Sequence, residues 1–170
     1  MKIPIRTTRL ILREFAPEDA ECFFHLNADP EVMKYTGDQP FDSVEAARSF
    51  IAEYDAYQKT GYGRWTVVFK ETNEPIGWCG LKWHEDLGYV DLGFRIAREH
   101  WNRGYASEAG KASLDWAREN GIDKIAGRCM VENAASIRVL EKLGFSDWQP
   151  LVDDLHCGQI AMLDLQGRAR

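Results

Sequence analysis

Three runs rich in β-branched and aromatic residues follow one another closely: Arg64–Lys70, Ile76–His84 and Tyr89–Ala97. The segments between them, Glu71–Pro75 with Asn73 inside it and Glu85–Gly88, have room for a turn and little more. Such a stretch must fold as an antiparallel meander, and the rest of the chain must extend that sheet or cover it. Arg9–Phe15 alternates Leu10 and Leu12 with Arg9, Ile11 and Arg13, as a strand does. Pro17 with Glu18 and Asp19 then opens a helix running to about Asn27, with Ala20, Phe23 and Phe24 facing inward. Asp29-Pro30 stops it, and a short helical turn is expected over Glu31–Tyr35.

Ser43 is a good N-cap for a second long helix, with Ala47, Phe50, Ile51, Tyr54 and Tyr57 at helical spacing and Gly61 at its end. After the meander a helix is expected over Gly104–Asn120, with a face of small residues, Ala106, Ala109, Gly110, Ser113 and Ala117, that can approach a sheet closely. A strand at Lys124–Val131 and a helix at Ala134–Leu143 follow, with Gly144 placed to let Phe145 pack back on Leu140. Trp148–Val152 and Gln159–Leu165 read as a closing hairpin. The order β-α-α-β-β-β-α-β-α-β-β predicts one α+β domain over residues 1–170, a mixed, mostly antiparallel central sheet flanked by helices.

Composition narrows the function. With 45% hydrophobic and 28% charged residues, the chain can build a core. The longest stretch free of Asp, Glu, Lys and Arg is Leu155–Leu163, far below the roughly 20 residues a spanning helix needs. Arg6, Arg9 and Arg13 interrupt the N-terminal segment, so it does not read as a secretory signal. Cys22, Cys79, Cys129 and Cys157 are far apart, with no C-x-x-C. They predict small core residues in a reducing, cytoplasmic compartment and no metal site. A net charge of -6 argues against nucleic acid as a partner. The charge is uneven, with ten acids against three bases in Phe15–Thr60, a net of -7. Two solvated helix faces explain that asymmetry; so does a cationic ligand at the acidic end and an anionic one at the other.

The densest chemistry is Arg98-Glu99-His100-Trp101-Asn102-Arg103-Gly104-Tyr105-Ala106-Ser107-Glu108, between a strand and a helix start. Small residues there let backbone N–H groups converge, and the helix N-terminus adds about half a positive charge. Arg98 and Arg103 would add side-chain charge against a diphosphate. No Gly-Lys-Ser/Thr follows, so it is not a Walker loop, and a single glycine does not make a dinucleotide fingerprint. On the preceding strand Val90, Leu92, Phe94 and Ile96 share one face, while Tyr89, Asp91, Gly93 and Arg95 share the other. The second face carries a carboxylate beside a glycine that leaves room for a ligand.

W-N-R-G-Y-A-S-E-A followed by V-E-N-A-A-S-I-R-V-L-E-K-L-G-F resembles the core of the GNAT superfamily of acyl-CoA-dependent N-acetyltransferases. T-T-R-L-I-L-R-E-F, D-P-E-V-M-K-Y and P-I-G-W-C-G-L are similar to its bacterial ribosomal-protein-alanine N-acetyltransferase branch. The resemblance runs from about Thr7 to Leu165. It implies that backbone N–H groups of Asn102, Arg103, Gly104, Tyr105, Ala106 and Ser107 hold the pyrophosphate of acetyl-CoA. Trp101 stands where the family has Gln or Arg, and is expected to pack under the loop. The resemblance further implies that the pantetheine arm pairs with Phe94, Arg95 and Ile96, and that Asn133, which also suits an N-cap, bonds the pantetheine amide. Leu140 occupies the position of the tyrosine that protonates the departing thiolate in many members. Ser136 would take that role, and Arg138 and Lys142 would meet outer phosphates.

Two readings of function stay open. The first is an acetyl-CoA-dependent N-acetyltransferase acting on a primary amine, of a protein N-terminus or a small amino compound, by direct attack through a tetrahedral intermediate. Asp91 would be the general base, with its pKa raised by partial desolvation, and a backbone N–H near Phe94 or Arg95 would hold the oxyanion. The acceptor would be cationic, the cofactor acetyl-CoA as co-substrate with no metal, and the protein a monomer or homodimer without nucleic acid or membrane partners. The alternative is a catalytically silent acyl-CoA-binding regulatory or sensor module on the same fold.

Overall fold

The computed structural model describes residues 3–152 and 157–167. The predicted meander is present as β3 (Arg64–Phe69), β4 (Glu74–His84) and β5 (Tyr89–Ile96), each antiparallel to the next. β2 (Leu10–Arg13) adds to one edge of it, and a short β1 (Ile5–Arg6), not expected from the sequence, adds to β2. On the other edge β6 (Lys124–Met130) pairs with β5 in parallel, and β8 (Cys157–Asp164) and β7 (Gln149–Val152) complete the sheet as the expected hairpin. The sheet has eight strands in the order β1-β2-β3-β4-β5-β6-β8-β7. It is mixed and mostly antiparallel, as the sequence predicts.

Between β2 and β3 lie α1 (Ala20–Ala28), entered through a 3-10 turn over Pro17–Asp19, then α2 (Pro30–Met33), α3 (Val44–Ala52) and α4 (Ala56–Thr60). α5 (Tyr105–Glu119) joins β5 to β6, and α6 (Ala134–Lys142) joins β6 to β7. The small-residue face of α5 is buried through Ala109, Gly110, Ser113 and Ala117, against a core that includes Cys79, Leu81, Leu92 and Ile125. Phe145 donates its backbone N–H to the Leu140 carbonyl at 3.1 Å, and both side chains are fully buried, as the glycine-ended helix predicts. Cys79 is buried and Cys22 and Cys129 are half-buried; the side chain of Cys157 lies outside the described set. Among the described residues no helix is long and apolar enough to cross a membrane, and no group of His, Cys, Asp and Glu is placed to hold a metal.

One helix differs from the reading of its periodicity. The expected single helix from Ser43 to Gly61 is two, broken at Glu53–Asp55. The break has a cause in the tyrosines. The Tyr54 hydroxyl accepts the Arg64 backbone N–H at 2.8 Å. The Tyr57 hydroxyl accepts from the Phe15 N–H at 3.0 Å and donates to the Arg64 carbonyl. Both phenols are thus bound to the first residue of β3, and the helix yields to let them reach it. Phe50 is left 44% exposed, although the periodicity placed it inward.

These bonds satisfy main-chain groups where β2 ends and β3 begins. Replacing Tyr57 with Phe strands the Phe15 N–H. Tyr57→Phe is expected to lower stability by about 1–2 kcal/mol, measured by urea unfolding, with no change in the urea dependence itself.

Candidate active site

β5 and β6 pair over Val90–Leu92 and Ile125–Gly127 only. Beyond that point β5 stays with β4 as far as Ile96, and β6 stays with β8 as far as Met130. The two strands therefore part, and the β6-side edge of Gly93–Ile96 has no strand in register with it. Backbone N–H and C=O groups on such an edge need a partner, and an extended ligand can supply one.

A cleft of about 490 Å³ opens at this parting. Phe94, Arg95 and Ile96 line it from β5; Asn102, Gly104, Tyr105, Ala106 and Ser107 from the loop and first turn of α5; Asn133 and Ser136 from the start of α6. Ten of the twelve residues expected at the site therefore share one cleft; Arg103 and Asp91 do not line it. Arg138 and Lys142 stand at its α6 side, and Glu31, Lys34, Tyr35 and Thr36 close it from the α2 side, a contribution the sequence did not disclose.

Asn102 and Gly104 both take left-handed backbone conformations, φ +59° and +81°. No side chain caps α5, so its first N–H groups stay open at the cleft wall. Together with the helix dipole they are able to accept an anion. Side-chain charge contributes less than expected. Arg98 is committed to Asp29 at 3.0 Å, and Arg103 is exposed. Trp101, expected beneath the loop, is 39% exposed and donates its indole N–H to the Ile96 carbonyl at 2.7 Å. At α6, Asn133 caps the helix by accepting the Ser136 N–H with Oδ1 at 3.2 Å, which leaves its amide NH₂ for a ligand. Leu140, at the position of the family's tyrosine, is fully buried.

Asp91 is placed differently from its expected setting. It is buried, with Arg64 Nη2 at 2.8 Å from Oδ1 and His84 Nε2 at 3.1 Å from Oδ2. Burial by itself pushes the carboxyl up, but the Arg64 guanidinium and His84 outweigh it and hold the pKa below its ordinary value. The expected rise is thus overturned by Arg64, from β3, and by His84, from the neighbouring strand β4. Gly93 serves the same cluster. A Cβ there would lie 2.6 Å from the Arg64 guanidinium, so the glycine makes room for Arg64 rather than for a ligand. The same guanidinium donates to the Gly80 carbonyl at 2.7 Å. Arg95 turns its side chain to Asn27 and Asp38, at 2.8 and 2.7 Å, and offers the cleft chiefly its backbone.

Comparison with known proteins gives the family. Residues 9–146 match the family model for the acetyltransferase (GNAT) domain. The chain is 34% identical over 142 residues to an uncharacterized N-acetyltransferase, p20, of Bacillus licheniformis, covering 82% of this chain and 80% of that one. Its fold is that of an acetyltransferase from Agrobacterium tumefaciens, with a TM-score of 0.80, 27% identity and coverage of 96% and 95% of the two chains. It is also that of a ribosomal-protein-S5-alanine acetyltransferase from Vibrio fischeri, with a TM-score of 0.81, 15% identity and 98% of each chain covered. The chain belongs to the GNAT acetyltransferase family, whose members are acetyl-CoA-dependent enzymes.

The Asp91 cluster makes a prediction about stability. Folding holds this carboxyl below its ordinary range, so it stabilises the protein above about pH 4. That contribution is lost as pH falls further, through the folded-state value. Asp91→Asn leaves the Arg64 guanidinium buried without its counter-charge and is expected to cost about 3 kcal/mol at pH 7. Chemical denaturation at pH 7 and near pH 3 checks this. The gap between the two proteins should narrow at the lower pH, where the unfolded chain's carboxyl is protonated and the native carboxylate's advantage is shrinking.

Proposed function

We propose that the protein transfers the acetyl group of acetyl-CoA to a primary amine, of a protein N-terminus or a small amino compound, by direct attack. The observation that carries this reading is the free edge of β5 at Phe94–Ile96 opening onto the same cleft as the anion loop, Asn133 and Ser136. A diphosphate fits the open N–H groups at Gly104–Ser107, with Arg138 and Lys142 available to outer phosphates. The amide-bearing arm fits the edge of β5, with the Asn133 NH₂ as a further donor. A main-chain N–H near Phe94 or Arg95 holds the oxyanion that forms on addition of the amine. Ser136 donates its proton to the sulfur as the C–S bond breaks.

An ammonium cannot attack, so the acceptor must first lose a proton. A carboxylate with a depressed pKa is a weak base, and Asp91 alone suits the task poorly. It remains the base we assign, acting directly or through water from a fixed position, with Arg64 Nη2 and His84 Nε2 at 2.8 and 3.1 Å from its oxygens. The acceptor we assign is cationic. Within the acidic front Asp29 and Asp38 are taken up by Arg98 and Arg95, while Glu31 stands at the cleft itself.

Acetyl-CoA at about 100 times its dissociation constant should stabilise the protein by roughly 2.7 kcal/mol, read as a rise in melting temperature, while ATP should give no shift. Gly104→Asp places a carboxylate at the anion loop and should remove the shift. No shift for the unaltered protein at millimolar acetyl-CoA would sink the assignment. With an amine found by screening for thiol release, Asp91→Asn should retain the acetyl-CoA shift and lower the rate by about 10²–10⁴. Ser136→Ala should lose less, and least with thiols that leave easily. The apparent affinity for the amine should weaken as salt rises from about 10 to several hundred millimolar. A neutral best acceptor without salt dependence would remove the cationic assignment.

A further inference from the structure

Arg9 precedes β2 and lies 94 residues from the anion loop in sequence, yet it is bound to that loop. Its Nη1 donates to the Arg103 carbonyl at 2.8 Å, and its guanidinium carbon lies 4.5 Å from the centre of the Tyr105 ring. Its Nη2 lies 3.3 Å from where a Cβ on Gly104 would be. A carboxylate one turn into α5 holds it there. Glu108 accepts the Arg9 Nε at 2.7 Å, the Arg9 backbone N–H at 2.8 Å and the Thr7 hydroxyl at 2.6 Å. Arg9 is not among the residues that line the cleft, so it approaches the loop from behind.

We infer that Arg9, held by Glu108, is the positioning residue that fixes the orientation of the Arg103–Gly104 peptide, and so the readiness of the loop for the diphosphate of acetyl-CoA. In a trans peptide the C=O and N–H point in opposite directions. A grip on the Arg103 carbonyl from behind therefore turns the Gly104 N–H toward the cleft that Gly104 lines. The grip is needed because of the glycine. Rotating this peptide plane changes ψ of Arg103 and φ of Gly104 together, and glycine takes either sign of φ at little cost. Sterics alone leave the plane free to turn and present a carbonyl oxygen to the anion. Arg9 removes that alternative, and its stacking on Tyr105 ties the same constraint to the first residue of α5.

The inference rests on the reading of the cleft as an acetyl-CoA site, and the test separates the two. Isothermal titration is carried out with acetyl-CoA and with S-acetylpantetheine, which has the thioester arm but no diphosphate. If the unaltered protein binds no acetyl-CoA, the site reading fails and the inference fails with it. If it binds, Arg9→Ala is expected to weaken acetyl-CoA by about 10- to 100-fold, the range for loss of hydrogen bonds to charged groups. Binding of S-acetylpantetheine should not change. Arg9→Lys keeps a positive charge but cannot hold Glu108 and the Arg103 carbonyl together through a planar fork. It should therefore resemble Arg9→Ala, and it carries the test alone if Arg9→Ala does not fold. Full rescue by lysine would reduce the effect to charge and overturn the positioning role. Equal weakening of both ligands, or of neither, would overturn it too.

Discussion

The parting of β5 from β6 is the constraint on which the rest of the structure depends. Each strand is held on its outer side, β5 by β4 and β6 by β8, for several residues beyond their last shared pair. Neither can bend back to the other without breaking those ladders. The space beneath the fork is filled from α6 and its cap. Gly127, at the last paired position, lies so close to Phe145 and Leu140 that a Cβ would stand 2.9 Å from the Phe145 ring. The same wedge sets α6 beside the open edge, which brings Asn133 and Ser136 to the cleft. The crossover through α5 returns the chain to β6 and puts that helix's N-terminus at the other end of the same fork.

Charge is distributed so that the loop before α5 faces the cleft with main-chain donors more than with side-chain charge. Arg13, Arg64, Arg95 and Arg98 are each paired with an aspartate, Asp19, Asp91, Asp38 and Asp29. Asp19 is fully buried and accepts in addition the Ala16 N–H and the Thr66 hydroxyl, so it fixes the entry to α1 as well as the position of Arg13. Arg13, Arg95 and Arg98 thus tie the segment between β2 and β3 to the sheet and its exit, while Arg64 links β3 to β5. Arg138 and Lys142 have no ion pair among the described residues and remain available at the α6 side. A loop whose donors are backbone N–H groups needs a fixed peptide geometry more than it needs side-chain charge, which is why the residues behind it matter.

The elements legible in the sequence were those with a local cause. Alternation marked β2 and β5, strand-like runs between short turns marked β3 and β4, the small-residue face marked α5, and Gly144 with Phe145 marked the end of α6. The shape of the loop and the Asn133–Ser136 turn was legible too, because adjacent small and capping residues encode it. What stayed hidden depends on partners that belong to other elements. The phenols of Tyr54 and Tyr57 look like two more apolar positions of a helix until Arg64 is beside them. Arg9 reads as a solvent-facing strand residue, because its partners Arg103 and Glu108 lie on another element.

Asp91 shows most plainly what local reading omits. Its strand face, with Gly93 and Arg95, was visible, and from it a desolvated carboxylate beside an open space. The open space belongs to Arg64, and with the guanidinium in it the pKa moves the other way. That placement constrains any role in proton transfer. A carboxylate so held stays ionised through the pH range in which an amine is partly deprotonated, so its charge is always present. Arg64 and His84 stand against its two oxygens and keep it from moving toward an acceptor. Any proton it takes must therefore reach it where it stands, directly or through water, and not by the side chain swinging into the cleft.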